Sequence, residues 1–342
     1  MNILFHCMQI GERGTEIATI NYARGNVNVL KNNSYFCVPK GKIVSEEKYI
    51  EIKKEFKVFE YSSLSELKEI IENNKINLLY SQESGEDDYF GQLPIPVFIH
   101  AVFSLKNKHG NYYCPISSYL NKWYGKDYPV LPYIVHPFNY TNENLRKELN
   151  IPSDAVVFGG YGGSHNFSIE FAKDAVINTA KSNSKIYFLF ANFDNFCEER
   201  NINLPNVIFL PCIIDMKEKE KFINTCDAML HARRDGETFG LAVAEFSIKN
   251  KPVITWKLQK RYYFRNLVKK ILKMRSEYET SHLDNLGDAA IIYKNYKQLY
   301  DILNHFNKYT KVGFNYDKFS EPFSEKKIME IFNSIITNEK VN

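Results

Sequence analysis

At 342 residues the chain has room for two domains, each with a core of its own. Its 44% hydrophobic and 25% charged residues are those of an ordinary globular chain, which excludes a disordered, collagenous or coiled-coil protein. With 44 basic against 40 acidic residues, the net charge of +4 is too mild to point to nucleic acid, and none is expected as a partner.

Residues 3–7 read as a buried first strand. They carry neither the basic opening nor the long apolar stretch of a signal peptide. A Gly-containing loop leads to a helix over 15–24, and 27–30 and 35–38 read as strands. Helices are expected at 45–56 and 63–73, the second with Leu64, Leu67, Ile70 and Ile71 on one face. Strands follow at 78–80, 97–102 and 112–117. The two prolines in Val130-Leu131-Pro132-Tyr133-Ile134-Val135-His136-Pro137, and the polar residues 139–144 after them, mark a domain boundary. A short helix over 142–149 precedes a second alternation. Its strands fall at 156–159, 186–191, 207–210, 228–231, 252–256 and 290–293, and its helices at 168–181, 215–225, 238–249 and 296–306. A last helix, 325–337, spaces Ile328, Ile331, Phe332 and Ile335 on one side.

This alternation predicts an α/β chain of two Rossmann-like domains with parallel sheets, 1–138 and 139–317, followed by a terminal helix in 318–342. In such pairs ligands bind in the cleft between domains, at the carboxyl ends of the strands. The six cysteines are scattered without a C-x-x-C pair and read as reduced core residues, not as a disulfide framework or zinc site. No apolar run approaches the ~18 residues of a membrane span. The expected location is therefore cytoplasmic, with peripheral attachment to a membrane face left open.

The most informative stretch runs from Cys226 to Glu245, where a buried strand ends at a charged loop that opens into an apolar helix. Thr238 reads as the N-cap of that helix. The first free amides of the helix then carry partial positive charge, which suits a phosphate. Gly240 permits close approach of a ligand to the backbone. Glu237 stands just before the helix and Glu245 about two turns into it, seven residues apart. With Glu237-Thr238-Phe239-Gly240-Leu241 inside it, this spacing resembles the E-x7-E motif of retaining glycosyltransferases with the GT-B fold, family four in the sequence classification. Residues 144–152 and Asn285-Leu286-Gly287-Asp288 resemble further stretches of that family.

The resemblance implies several roles. Glu237 faces the donor sugar, the amides of Thr238, Phe239, Gly240 and Leu241 meet sugar and diphosphate, and Glu245 accepts from the ribose hydroxyls. His100, at the end of a first-domain strand, reaches the donor sugar and is expected with Glu237 in the catalytic set. Arg13, Gly14 and Thr15 belong to a turn near the diphosphate. The first domain takes the acceptor side, the second the donor side, and the last helix crosses back to the first. The implied reaction moves a sugar from a UDP or GDP sugar to a hydroxyl of a glycan or other acceptor, with retention. The departing phosphate takes the acceptor's proton. Neither a cofactor nor a metal is expected. The acidic run Glu86-Asp87-Asp88 reads as a solvated loop rather than an ion site.

One departure from the family stands out. Where it has an Arg and a Lys for the diphosphate, this chain reads Phe158-Gly159-Gly160-Tyr161-Gly162-Gly163-Ser164-His165-Asn166-Phe167. Gly162 and Gly163 offer amides for phosphate. Arg233 and Arg234 are the natural replacements for the missing charge, with at least one expected to face the cleft. The departure keeps a second reading open, a non-catalytic GT-B-like protein that binds a nucleotide sugar or glycan. Finally, residues 257–275 hold Lys257, Lys260, Arg261, Arg265, Lys269, Lys270, Lys273 and Arg275 and no acid, with Tyr263, Leu267, Ile271 and Met274 at helical spacing. Two readings stand: a helix resting on anionic lipid, or a solvated helix whose apolar side packs on the second domain.

Overall fold

The computed structural model describes residues 1–11, 14–85, 90–258, 263–272, 274, 276 and 278–337, without the side chains of 263–266. It divides into two compact units. The first takes Met1–Ile134, the chain from Pro322 on, and the stretch Lys269–Arg275; the second takes Val135–Val268 and Ser276–Glu321.

In the first unit, β1 (Asn2–His6), α1 (Gly14–Asn28), β2 (Asn33–Pro39), α2 (Glu46–Glu55), β3 (Lys57–Tyr61), α3 (Leu64–Asn73), β4 (Leu78–Glu83), β5 (Val97–Ala101), β6 (Tyr112–Pro115) and α4 (Ser118–Tyr124) follow in order. The six strands form a parallel sheet in the order β3-β2-β1-β4-β5-β6. Helices start where a serine stands ready: Ser45 accepts from Lys48 N–H (3.3 Å) and Ser63 from Glu66 N–H (3.2 Å). One local expectation fails here, and one strand was not anticipated. Residues 27–28 continue α1 and 29–30 form the turn after it, because Asn26 ties the helix end to Asn33 O and Ser34 Oγ. β3 was hidden by its own chemistry, since an outer strand of the sequence Lys-Val-Phe-Glu-Tyr is half polar.

In the second unit, β7 (Val156–Tyr161), α5 (Glu170–Ser182), β8 (Ile186–Ala191), β9 (Val207–Leu210), α6 (Met216–Thr225), β10 (Ala228–His231), β11 (Gly236–Glu237), α7 (Leu241–Ile248) and β12 (Val253–Trp256) come first. α8 (Tyr263–Ile271), whose last three residues count with the first unit, β13 (Glu279–Thr280), α9 (Ser281–Leu286), β14 (Ala290–Tyr293) and α10 (Tyr296–Asn304) complete the run. Its six-stranded parallel sheet has the order β14-β12-β10-β7-β8-β9, and β11 pairs separately with β13. The expected helix over 142–149 is a set of turns. Arg146 is drawn out of it to Asp227 (2.9 Å) and to the carbonyl of Ala155 (2.8 Å).

The high aromatic content has a structural use. Phe167 packs on Phe190 (4.8 Å between centroids) and Phe196 (5.4 Å) in the second core, each such pair contributing about 0.5–1.5 kcal/mol beyond area burial. α11 (Glu325–Thr337) packs within the first unit, where Phe332 meets Phe98 at 5.1 Å and Tyr112 Oη donates to Ile336 O (3.0 Å). Five cysteines are buried and free; Cys212 is exposed.

Candidate functional site

The chemistry of the second unit collects at the carboxyl ends of adjacent strands. β10 pairs with β7 on one side and β12 on the other, so Tyr161, His231 and Trp256 end neighbouring strands. Beyond β10 the chain runs through Arg233 to β11. There Gly236, at φ +67, lies so close to β13 that a Cβ would fall 1.9 Å from Glu279 O. That pairing holds Glu237 extended and delays the helix. The N-cap is therefore Gly240 at φ 90, not Thr238, which is buried ahead of the turn. The φ of Gly240 favours glycine, and a Cβ there would stand a tight 3.2 Å from Glu237 Cβ and Cγ. The intrahelical ladder begins with Ala244 N–H on Gly240 O (3.0 Å). The amides of Leu241, Ala242 and Val243 stand outside it, at the positive end of the helix. Phe239 is buried edge-on to Phe319 (6.0 Å) and anchors the loop.

Glu237 is the electrostatic centre of this region. Oε2 accepts from Arg233 Nη1 (2.7 Å), and Oε1 faces His231 Nε2 (3.3 Å). Burial alone would raise its pKa; the His231 hydrogen bond and the Arg233 charge outweigh that and hold it at about 2. The carboxylate can only accept, so the His231 nitrogen facing it carries a proton. His231 Nδ1 in turn meets Thr255 Oγ1 (2.9 Å), which meets His282 Nε2 (3.2 Å), and the two imidazole rings lie 4.9 Å apart. His282 is wholly buried, and desolvation, then the neighbouring His231, lowers it to about 3. It is a neutral wall behind the carboxylate.

Glu245 lies one turn into α7. Tyr161 Oη donates to its Oε2 and Lys219 Nζ approaches its Oε1 (3.4 Å). Burial, and then the Glu245 charge, push the Tyr161 hydroxyl well above its ordinary pKa, so it remains a donor. The Tyr161 ring stacks on Phe246 (5.8 Å) and holds that geometry. The glycine run is put to two uses. Gly159 and Gly160 lie inside β7, where a Cβ would come 2.2 Å from Cys226 Sγ and 2.9 Å from Leu230 O. Gly162 and Gly163 lie past the strand end, their carbonyls taken by Asn192 Nδ2 (2.7 Å) and Asn166 N–H (2.8 Å). Arg234 is exposed, its amide donating to Ser168 Oγ (3.0 Å).

The first-unit residues are placed differently. His100 has no exposed surface. Nδ1 meets Tyr80 Oη (2.7 Å), Nε2 donates to Leu131 O (2.7 Å), and burial lowers its pKa to about 3. Both ring nitrogens of His100 are thus engaged within the core of the first unit. Gly14 and Thr15 form the first turn of α1. Arg13 and the acidic run Glu86-Asp87-Asp88 lie outside the described residues. Among the described residues no three His, Cys, Asp or Glu side chains converge as ligands for an ion.

Of the residues expected from the sequence, Glu237 and Arg233 stand in contact, and Glu245 lies one turn into α7. His231, Thr255, His282, Tyr161 and Lys219, which surround them, were not among the expected residues; they come from three strands and two helices and carry no local spacing signal. The position of His231 at a strand end, six residues before Glu237, was the one available clue.

No protein-family model matches the chain, and no curated protein matches it. Among solved structures it is similar to Anabaena HepE in complex with UDP-glucose, at 14% identity over 98% of this chain and 100% of that one, with a TM-score of 0.67. It is also similar to a glycosyltransferase from Rickettsia africae (14% identity, 99% and 94% covered, TM-score 0.61). A third is S. aureus TarM in complex with fondaparinux, alpha-GlcNAc-glycerol and UDP (9% identity, 98% and 99% covered, TM-score 0.66). At such identities the likeness is one of fold: two parallel six-stranded sheets with flanking helices, the α/β GT-B fold.

Proposed function

We propose that the chain is a retaining glycosyltransferase that moves a sugar from a UDP or GDP sugar to a hydroxyl of a glycan acceptor, without a metal ion. The observation that carries this reading is Glu237, a carboxylate held ionised in β11 just ahead of α7, with Glu245 one turn into that helix. HepE with UDP-glucose and TarM with UDP, both of this fold, support a nucleotide sugar as donor.

In this reading the amides of Leu241, Ala242 and Val243 and the guanidinium of Arg233 or Arg234 receive the diphosphate, supplying the charge that the glycine run after β7 lacks. Glu237 orients the sugar hydroxyls and balances the positive charge that develops at the anomeric carbon. The bond from that carbon to the phosphate oxygen breaks as the acceptor oxygen attacks on the same face, and the departing phosphate takes the acceptor's proton. Glu245 accepts from both ribose hydroxyls, the diol replacing Lys219, the longer of its two contacts.

A second reading, a GT-B-like protein that binds the nucleotide sugar without turnover, is favoured by one observation. Arg233 is already paired with Glu237, which leaves less charge for a diphosphate. Release of UDP or GDP from a panel of nucleotide sugars separates the two. Slow release that Glu237→Ala abolishes supports the enzyme; a thermal shift with nucleotide sugar and no release supports the binding protein.

A further inference from the structure

We propose that α8 and the residues just after it form a docking face for an anionic phospholipid surface. Two kinds of observation carry it, exposure and charge. Leu267, Val268, Ile271, Leu272 and Met274 are between 41% and 71% exposed; they are five of the fifteen exposed large apolar side chains among the described residues, all within eight positions. Leu267 and Ile271 are four apart, so they stand side by side on the helix, and Leu272 follows directly after its end. Lys269 and Lys270 take the phases between. A helix that packed this apolar side onto its own domain would bury these residues, and they are not buried. The packed-helix expectation for 257–275 is therefore not met at these positions.

Charge then selects the occupant. Residues 257–275 carry eight basic residues, Lys257, Lys260, Arg261, Arg265, Lys269, Lys270, Lys273 and Arg275, and no acid. A second copy of the same face would bring like charges together. A bilayer with anionic headgroups satisfies both features, apolar residues entering the headgroup boundary and lysines lying against phosphate. The segment is also fastened within the first unit. Trp123 Nε1 donates to Met274 O (2.8 Å), and Met274 N–H donates to Lys269 O (2.8 Å). Trp123, stacked on Tyr119, is the residue type most at home at such a boundary. No helix among the described residues is long and apolar enough to cross a membrane, so the contact is a surface one.

Flotation of the full chain with phosphatidylcholine vesicles, with and without phosphatidylglycerol, tests this. The wild type is expected to float only with phosphatidylglycerol. Lys269→Gln with Lys270→Gln is expected to weaken partitioning about fivefold per charge removed. Ile271→Asp with Leu272→Asp is expected to abolish flotation while leaving the thermal melt unchanged, since both side chains are exposed. Three results would each overturn the proposal: wild type that stays in solution with anionic vesicles, an aspartate variant that floats like wild type, or a dimer in light scattering that the aspartate pair dissolves.

Discussion

Glu237→Gln removes a charge and keeps the side chain's shape, so its effect is worked from electrostatics. The folded carboxyl lies at about 2 against an ordinary 4.5. At roughly 1.4 kcal/mol per unit, that difference corresponds to about 3 kcal/mol of stability at neutral pH. Arg233 keeps 26% of its side chain exposed and can turn to water when its partner is neutralised, which brings the expected loss to about 1–3 kcal/mol. The pKa is depressed by folding. The stabilisation is therefore fully present above the unfolded value near 4.5 and is lost as pH falls toward 2. Wild type and variant should differ most at pH 7 and converge on acidification. Trp256, buried beside Thr255 and edge-on to Tyr278 (5.1 Å), reports unfolding of the second unit. In a Trp123→Phe background it is the sole tryptophan. Urea unfolding followed by its fluorescence at neutral pH and again near the folded pKa gives the two differences. A negligible loss at neutral pH, or an equal loss at both, would refute the account of Glu237 as an anion stabilised by its neighbours.

Gly240→Ala forces a side chain into φ 90 and against Glu237, so it should cost about 1–3 kcal/mol and lower the donor turnover number more than nucleotide affinity, read by steady-state kinetics. Glu245→Ala should raise the donor KM roughly 10- to 100-fold with a smaller change in kcat, the cost of charge-assisted hydrogen bonds to ribose. His100→Leu strips partners from Tyr80 and Leu131 O in the first core and should destabilise by about 2–4 kcal/mol in thermal melts. Donor hydrolysis at a permissive temperature should stay intact; a loss of turnover without a loss of stability would return His100 to the reacting centre.

Much of the fold was legible because buried parallel strands are short, uninterrupted apolar runs. β8, β9, β10 and β14 fall where the hydrophobic runs place them, residue for residue. What failed was local and had local causes. Val27 and Val29 look like a strand, yet a helix end held by Asn26 claims the first of them. The half-polar edge strand β3 gave too little apolar signal to stand out. The site was legible to the extent that its residues are close in sequence. Glu237, Gly240 and Glu245 share one motif, whereas His282 reaches Glu237's surroundings only because β12 lies beside β10 and lends Thr255 as a bridge. Thr238 has the right chemistry for a cap. It lost that position because the pairing of β11 with β13 keeps the backbone extended past it. His100 is the opposite case, a residue near a strand end whose two ring nitrogens are both engaged within the first core, of which the sequence shows no sign.

The most direct measurement is a crystal structure of the full chain soaked with UDP- and GDP-sugars. The account predicts a nucleotide on Glu245, its diphosphate against the amides of Leu241, Ala242 and Val243, and the sugar hydroxyls on the Glu237 carboxylate. A nucleotide sugar bound elsewhere, with Glu237 still closed on Arg233 and His231, would contradict it.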